Sequence, residues 1–233
     1  MSHGTIAEPG AEPGSEVGAT AYQDKAASYF GGVRRDFLAL LPKDGSANVL
    51  EIGCGTGETG AAALAQGLAR SYIGVEIAQQ AAAMAGTRLT EVLEGDVERM
   101  ELPWPDAHFD AVLMSEVLEH LVDPWSVVKR VAAKLRPGAL VMASSPNVAQ
   151  IDVLRGLLAD RWELTEEGVM DRTHLRWFTQ GSYRRMFEDA GIRIEDTRAM
   201  AAPGPVGSLF NIVTLGRLRH LTVRQICIVG RAP

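Results

Sequence analysis

Cysteine is scarce in this chain of 233 residues, which contains only Cys54 and Cys227. One lies in a glycine-rich loop and the other in a predicted strand, and neither belongs to a Cys-x-x-Cys pair or a histidine-rich cluster. This pattern argues against a disulfide framework and against a cysteine-based zinc site. Because no cluster of ligand-type residues stands out along the sequence, we expect no bound metal ion.

Long apolar runs and surplus positive charge are also missing. No apolar segment reaches membrane-spanning length, and the first residues lack the basic stretch and apolar core of a signal peptide. The formal net charge is -6, half of which comes from Glu8, Glu12 and Glu16. A weakly acidic body argues against a nucleic-acid partner, because phosphate binding needs a cationic face. We therefore expect a cytoplasmic protein that binds neither membrane nor nucleic acid.

Residues 1–20 are rich in Gly, Pro, Glu and Ala and have little to bury, so we expect a disordered tail there. The length of the remaining chain, 21–233, suits a single α/β domain. Strands and helices alternate from residue 47 onward. The predicted strands are 47–53, 71–77, 90–96, 109–115, 139–145, 192–200 and 222–230. The predicted helices are 58–66, 78–89, one that starts at Pro124 after the cap Asp123, and one that follows the cap Thr179.

This alternation predicts a mostly parallel, seven-stranded sheet with helices on both faces. Ligands bind such sheets beyond the carboxyl ends of the strands. The first motif at such an end is VLEIGCGTG (49–57), in which Gly53, Gly55 and Gly57 follow a strand and open a helix. Glycines permit a tight turn and let a ligand touch the backbone. A dinucleotide site would need Gly-x-Gly-x-x-Gly, but residue 58 is Glu, so either another nucleotide-like ligand or a plain strand-to-helix turn remains.

Acidic residues follow at the ends of the next two strands. Glu76 lies 19 residues past Gly57, where a carboxylate can accept both hydroxyls of a ribose. Asp96 closes the third strand and can accept from an adenine amino group while Val97 packs on the ring. The plainer alternatives are a surface acid at Glu76 and a helix cap at Asp96.

Taken in order, these motifs resemble the class I S-adenosylmethionine (SAM)-dependent methyltransferases. The resemblance extends to FDAVLMSEVLEHL (109–121) and LRPGALVMASSPN (135–147), and it covers about residues 20–200. It is strongest toward ubiquinone-biosynthesis O-methyltransferases and the small methyltransferases of polysaccharide and natural-product clusters. The resemblance implies a Rossmann-like sheet whose last strand is antiparallel, with SAM as cofactor, S-adenosylhomocysteine as product and no metal. One departure is Ala139, where the family commonly repeats glycine.

The resemblance also implies which residues meet the cofactor. Those expected at the glycine loop and the methionine part are Glu51, Gly53, Cys54, Gly55 and Gly57. Those expected along the ribose and adenine are Glu76, Ile77, Asp96 and Val97. Those expected around the sulfonium are Ser115 and Glu116. Tyr22 and Tyr29, two helical turns apart, are expected on an N-terminal helix that covers the site.

Two histidines are candidates for a catalytic base. Methylation of oxygen is helped by a base that removes the hydroxyl proton, and imidazole titrates near neutral pH. His120 lies four residues after Glu116, and His174 lies three residues after Asp171. We favour His174 narrowly, with Asp171 orienting its ring, while purely structural histidines remain the alternative.

The acceptor is less clearly marked than the cofactor. The (D/N)PP(Y/F) pattern of amide and amino N-methylation is absent after strand four, which favours oxygen over nitrogen or carbon. An insertion at 148–181 holds Trp162, Trp177 and Phe178, which either wall the acceptor pocket or pack on the core. A small molecule or sugar is the expected acceptor. A non-catalytic SAM-binding protein and an RNA methyltransferase are the alternatives.

Overall fold

One seven-stranded sheet organises the described part of the chain, residues 32–200 and 204–233 of a computed structural model. Its strands are β1 (Asn48–Ile52), β2 (Ser71–Glu76), β3 (Glu91–Glu94), β4 (Phe109–Ser115), β5 (Leu135–Pro146), β6 (Arg193–Ala199) and β7 (Gln225–Arg231). Each lies where the sequence predicts a strand, although β5 begins four residues early. The predicted tail and the predicted helix with Tyr22 and Tyr29 lie outside the described residues.

Seven α-helices connect these strands within the described ranges. They are α1 (Arg35–Leu38), α2 (Glu58–Ala65), α3 (Gln79–Gly86), α4 (Pro124–Lys134), α5 (Ile151–Leu158), α6 (Gln180–Glu188) and α7 (Pro205–Val213), with 3-10 turns at Leu118–His120 and Arg219–Thr222. The predicted caps of α4 and α6 are confirmed, since the Asp123 side chain accepts from the Ser126 amide and Thr179 forms a capping box with Ser182. Three of the helices, α1, α5 and α7, are not predicted from the sequence. None of the helices described is long and apolar enough to cross a membrane.

The strand order is β3-β2-β1-β4-β5-β7-β6. β1 to β5 pair in parallel, and β7 runs antiparallel to both of its neighbours. This confirms the predicted Rossmann-like, mostly parallel sheet with an antiparallel last strand. The order reverses between β1 and β4, and a crevice opens there because the connections leave in opposite directions.

Both faces of the sheet are covered. Leu50 and Ile52 of β1 point into one hydrophobic core, which α4 and α6 complete, whereas Val49 points into the other, beside Tyr72 and α2. Every residue of β1 is buried. Its neighbour β4 is also largely buried and is nearly all apolar after Asp110, as expected for a central strand covered on both sides.

The insertion leaves and rejoins the sheet at one place. Asn147 at the end of β5 forms a parallel bridge with Phe178, and the Val148 amide donates to the Phe178 carbonyl at 2.9 Å. Phe178 is buried against Tyr183 and Trp125, so it packs on the core. Trp162 and Trp177 stack edge to face at 5.3 Å, outside the central cavity.

Close contact between α2 and the sheet depends on glycine. A Cβ at Gly60 of α2 would lie 2.4 Å from the side chains of Leu89 and Tyr72, and one at Gly74 of β2 would lie 2.4 Å from the Cys54 sulfur. The absence of side chains at these positions therefore lets the glycine loop and its helix lie directly against β2.

We predict opposite effects for alanine at two helical glycines. Gly60→Ala should lower the free energy of unfolding by about 1–3 kcal/mol, because the new methyl overlaps its neighbours. Gly86→Ala in α3 is the matched control, since no atom lies within 4 Å of its Cβ position. At that position the higher helix propensity of alanine should raise the free energy of unfolding by up to about 1 kcal/mol. Urea unfolding of both variants measures this, and equal stabilisation of both would contradict the packing explanation.

Candidate active site

A cavity of about 1320 Å³ opens beyond the carboxyl ends of β1 to β4, at the reversal of strand order. All of the residues predicted for the site line it, except Gly57. Gly57 instead turns the chain into α2 with a φ of +80°, and its Cβ position faces Ala85 and Leu89. Part of the sequence motif therefore faces the cavity, and part of it forms a structural turn.

The glycine loop is held against the end of β2 by backbone hydrogen bonds. The amides of Gly53 and Cys54 both donate to the Val75 carbonyl, at 2.8 and 3.2 Å. Gly53 and Gly55 have φ values of +71° and +53°, which a side chain disfavours. Cys54 is buried, and burial raises the pKa of its thiol well above the ordinary range, so it lies in the loop as a neutral group.

Glu76 is the acid that closes the loop. Its carboxylate accepts from the Gly55 amide at 2.8 Å through one oxygen and from the Ala78 amide at 2.9 Å through the other. The residue is only 5% exposed, and this burial raises its pKa despite the two amides. The alternative of a surface acid is therefore wrong.

Asp96 caps a turn and also lines the cavity. Its carboxylate accepts from the Glu98 amide at 2.9 Å, so it does cap the turn after β3. It also pairs with Arg99 at 3.4 Å and lines the cavity beside the buried Val97. Capping leaves the half-exposed carboxylate on the cavity wall, where further donors can reach it.

Glu51 points from β1 into the cavity and is 4% exposed. Its carboxyl accepts from the Tyr72 hydroxyl at 2.8 Å. Burial raises the pKa of Glu51 to about 8, and the Tyr72 hydrogen bond and the charge of Arg34 offset only part of this increase.

Arg34 is a cavity residue that the sequence does not reveal. Its guanidinium donates to the hydroxyls of Ser115 and Ser144, the latter at 2.8 Å. It also donates two hydrogen bonds to the carboxylate of Asp36, at 2.9 and 3.0 Å. The Ser144 hydroxyl donates onward to Glu116 at 2.9 Å. Arg34 belongs to no motif, and its serine partners lie 81 and 110 residues away in the chain, so only the fold brings them together.

The two candidate histidines are neighbours in space although they are 54 residues apart. Their ring centroids are separated by 4.8 Å. Nδ1 of His120 donates to the Thr173 carbonyl, and Nδ1 of His174 donates to the Val169 carbonyl, each at 3.1 Å. The Nδ1 partner of His174 is therefore a backbone carbonyl.

Asp171 was expected to orient the His174 ring. Its carboxylate accepts from the amide and hydroxyl of Thr173, at 2.8 and 2.7 Å, and its carbonyl accepts from the His174 amide at 3.0 Å. Through these bonds Asp171 shapes the turn that presents His174 to the cavity.

Glu119 is a second cavity residue that the sequence does not single out, although it lies inside SEVLEHL. It is 1% exposed, and among the described residues neither of its carboxylate oxygens accepts a hydrogen bond of normal geometry, although the Ser145 hydroxyl is close enough to act on it. Burial, and then the nearby charge of Glu116, raise its pKa well above the ordinary value. One ligand-type atom from each of Glu119, His120 and His174 lies within 4.8 Å of the other two.

Together the fold and the cavity define a class I SAM-dependent methyltransferase. The chain belongs to the methyltransferase domain family, whose model matches residues 25–197. The cofactor is SAM and its product form is S-adenosylhomocysteine.

Individual relatives agree with this assignment. The chain is 31% identical to the 27-O-demethylrifamycin SV methyltransferase of Amycolatopsis mediterranei, over 77% of this chain and 74% of that protein. It is 26% identical to a ubiquinone biosynthesis O-methyltransferase of Leptothrix cholodnii, over 65% and 66%. Three mycobacterial relatives are matched over only 40–53% of their length. A SAM-dependent methyltransferase of Archaeoglobus fulgidus shares the fold, with a TM-score of 0.64 at 18% identity over 88% and 96% of the two chains.

The pKa of Glu51 gives a prediction for stability. A carboxyl whose pKa rises on folding contributes stability that is complete below its ordinary pKa of 4.5 and is lost as the pH rises through about 8. Glu51→Gln keeps the acceptor for Tyr72 but cannot ionise. Between about pH 6 and pH 9, the free energy of unfolding of the wild type should therefore fall by about 1–3 kcal/mol more than that of Glu51→Gln.

Urea unfolding at several pH values measures that difference. The stability of Glu51→Gln should still fall somewhat as the pH rises, because burial also raises the pKa values of Glu76 and Glu119. Glu94→Gln, at the exposed end of β3, should behave as the wild type. Identical pH profiles for the wild type and Glu51→Gln would show that Glu51 is ionised in the folded protein at neutral pH.

Proposed function

We propose that this protein transfers the methyl group of SAM to a hydroxyl oxygen of a small molecule or sugar. The supporting observation is a single cavity that has the glycine loop and its acids on one wall and the buried His174 and half-buried His120 on the other. At 1320 Å³ it exceeds the roughly 300–1,000 Å³ of a pocket for one drug-sized ligand. The volume suits a cofactor together with an acceptor.

The cofactor half fits an adenosine group. Each oxygen of Glu76 has one backbone donor, which fixes the carboxylate and leaves a lone pair on each oxygen for the two ribose hydroxyls. Ile77 and Val97 would then flank the adenine, with Asp96 as acceptor for its amino group. The positive φ values of Gly53 and Gly55 bring bare backbone to the cavity surface.

The methionine end needs groups of both charges, because an amino acid has an ammonium and a carboxylate. Glu51 would accept from the ammonium, and Arg34 would donate to the carboxylate. Ser115 and Glu116 lie at the end of β4 beside Arg34, where the sulfonium would sit. The loop with Cys54 and Gly55 closes this end.

The acceptor half would deliver a hydroxyl oxygen in line with the methyl group. In that step the carbon–sulfur bond breaks, the carbon–oxygen bond forms and the hydroxyl proton leaves. His174 or His120 would take the proton, or positioning alone would suffice. Oxygen is favoured by the sequence SEVLE after β4 and by the O-methyltransferase names of two relatives.

The role of Glu76 predicts a specific loss of SAM affinity. Glu76→Ala removes both ribose contacts and the acceptor of the Gly55 amide, so SAM should bind about 10–100-fold more weakly, equivalent to roughly 1.5–3 kcal/mol. Glu94→Ala, its exposed neighbour across the β2–β3 ladder, should bind SAM normally. Calorimetric titration with SAM, with melting temperatures as the folding check, measures both. Unchanged affinity in Glu76→Ala would reject the ribose assignment.

The acceptor half is tested by turnover. A screen of hydroxylated acceptors, scored by S-adenosylhomocysteine formation, should reveal a substrate. His174→Ala should then slow methyl transfer roughly 100-fold or more with nearly intact SAM affinity, and His120→Ala should show a milder loss. His220→Ala, an exposed histidine outside the cavity, serves as the control.

Three outcomes would redirect the proposal. Full activity in His174→Ala would remove this histidine from catalysis. SAM binding without turnover, even with cell extract as the acceptor source, would favour a non-catalytic SAM-binding protein. Methylation of extract that disappears after nuclease treatment would favour an RNA methyltransferase.

A further inference from the structure

We propose that Glu119, His120 and His174 bind one divalent transition-metal ion of the Zn²⁺ type in the acceptor half of the cavity. The site itself follows from the geometry of these three side chains. Its part in catalysis rests on the proposed O-methylation. The sequence suggests no metal, because His174 is separated from the other two residues by more than 50 positions.

The three side chains are close enough to share an ion. One ligand-type atom from each lies within 4.8 Å of the other two. Bonds of about 2.0–2.2 Å to zinc place neighbouring ligand atoms roughly 3–4 Å apart, so small side-chain rotations complete the set. The two segments that supply the ligands are also tied together, since the amides of Leu175 and Arg176 both donate to the Glu119 carbonyl, at 2.8 and 2.9 Å.

In both histidines the ring nitrogen that would face away from the ion already has a hydrogen-bond acceptor, as is usual for metal ligands. A metal-bound imidazole usually donates its other ring N–H to a carboxylate or a backbone carbonyl, which fixes the tautomer and the ring orientation. Nδ1 of His120 has the Thr173 carbonyl as its acceptor, and Nδ1 of His174 has the Val169 carbonyl. In the neutral rings the lone pair then lies on Nε2, the nitrogen that would bind the ion.

Glu119 supplies an independent observation. Buried polar atoms are almost always satisfied, and a buried carboxylate without a donor is costly. Among the described residues neither oxygen of Glu119 accepts a hydrogen bond of normal geometry, and the nearby Ser145 hydroxyl offsets only a small part of the effect of burial. A cation beside it would satisfy this carboxylate directly.

The donor set indicates the class of metal. Two imidazoles and one carboxylate are typical of zinc sites that keep a coordination position open, and of open iron(II) sites. Calcium and magnesium prefer oxygen donors alone. All three residues line the cavity, so the open position would face the acceptor.

A cation there would take over the task assigned above to an imidazole base. An acceptor hydroxyl bound to the metal loses its proton to water more easily, because the positive charge stabilises the oxygen anion. The oxygen then forms its bond to the methyl carbon as the carbon–sulfur bond breaks. No oxidant or reductant is needed.

Cobalt(II) titration tests the site, because Co²⁺ bound by histidine and carboxylate absorbs visible light. Tag-free, full-length protein is first stripped with EDTA and then titrated with Co²⁺, followed by displacement with Zn²⁺. We expect one Co²⁺ per chain and complete displacement by one Zn²⁺. Glu119→Gln, His120→Ala and His174→Ala should each weaken Co²⁺ binding by roughly 10–100-fold or more.

His220→Ala is the matched control and should bind Co²⁺ as the wild type does. Retained SAM affinity in each variant shows that it is folded. Absence of stoichiometric Co²⁺ binding to the wild type, or equal binding by all the variants, would overturn the site.

The metal site and the proposed function can fail separately. Stoichiometric Co²⁺ binding that the three variants lose would establish the site even if no hydroxyl acceptor is ever methylated. Methylation of a hydroxyl by protein that binds no Co²⁺ would instead reject the site and leave O-methylation in place.

Discussion

The hydrogen bond from the Gly55 amide to the Glu76 carboxylate connects the parts of this molecule on which the rest depends. It joins the loop after β1 to the end of β2, and it forms only because Gly60 and Gly74 let α2 and the loop approach the sheet. The same bond holds a buried acid at the cavity surface. The conformation of the loop, the packing of α2 and the position of the Glu76 carboxyl therefore depend on one another.

Local patterns were sufficient to predict most of the fold. The central strands β1, β2 and β4 are short and largely apolar, and the caps Asp123 and Thr179 act within a few residues of themselves. The cavity wall with the glycine loop, Glu76 and Asp96 was equally predictable, because its residues follow consecutive parallel strands whose ends must meet. Glu76 and the glycine loop therefore lie together as expected.

The rest of the cavity depends on contacts between distant segments, and there the sequence was less informative. α5 and α7 begin without a side-chain cap, and α1 has four residues, so each leaves a weak local pattern. Arg34 contacts its serine partners only in the folded sheet, because they lie 81 and 110 residues away in the chain. Glu119 looked like one more acid in a charged turn until burial among histidines distinguished it.

The bridge between Asn147 and Phe178 has a consequence for how this protein can diversify. A segment whose two ends lie side by side can be lengthened, shortened or exchanged with little effect on the sheet, because closing the loop costs only slightly more as it grows. Residues 148–177 supply Val169, Asp171 and His174 to one wall of the cavity, while the wall with the glycine loop and Glu76 is built from other parts of the chain. Grafting this segment between relatives would therefore exchange one wall of the cavity, His174 included, and leave the wall with the glycine loop and Glu76 unchanged.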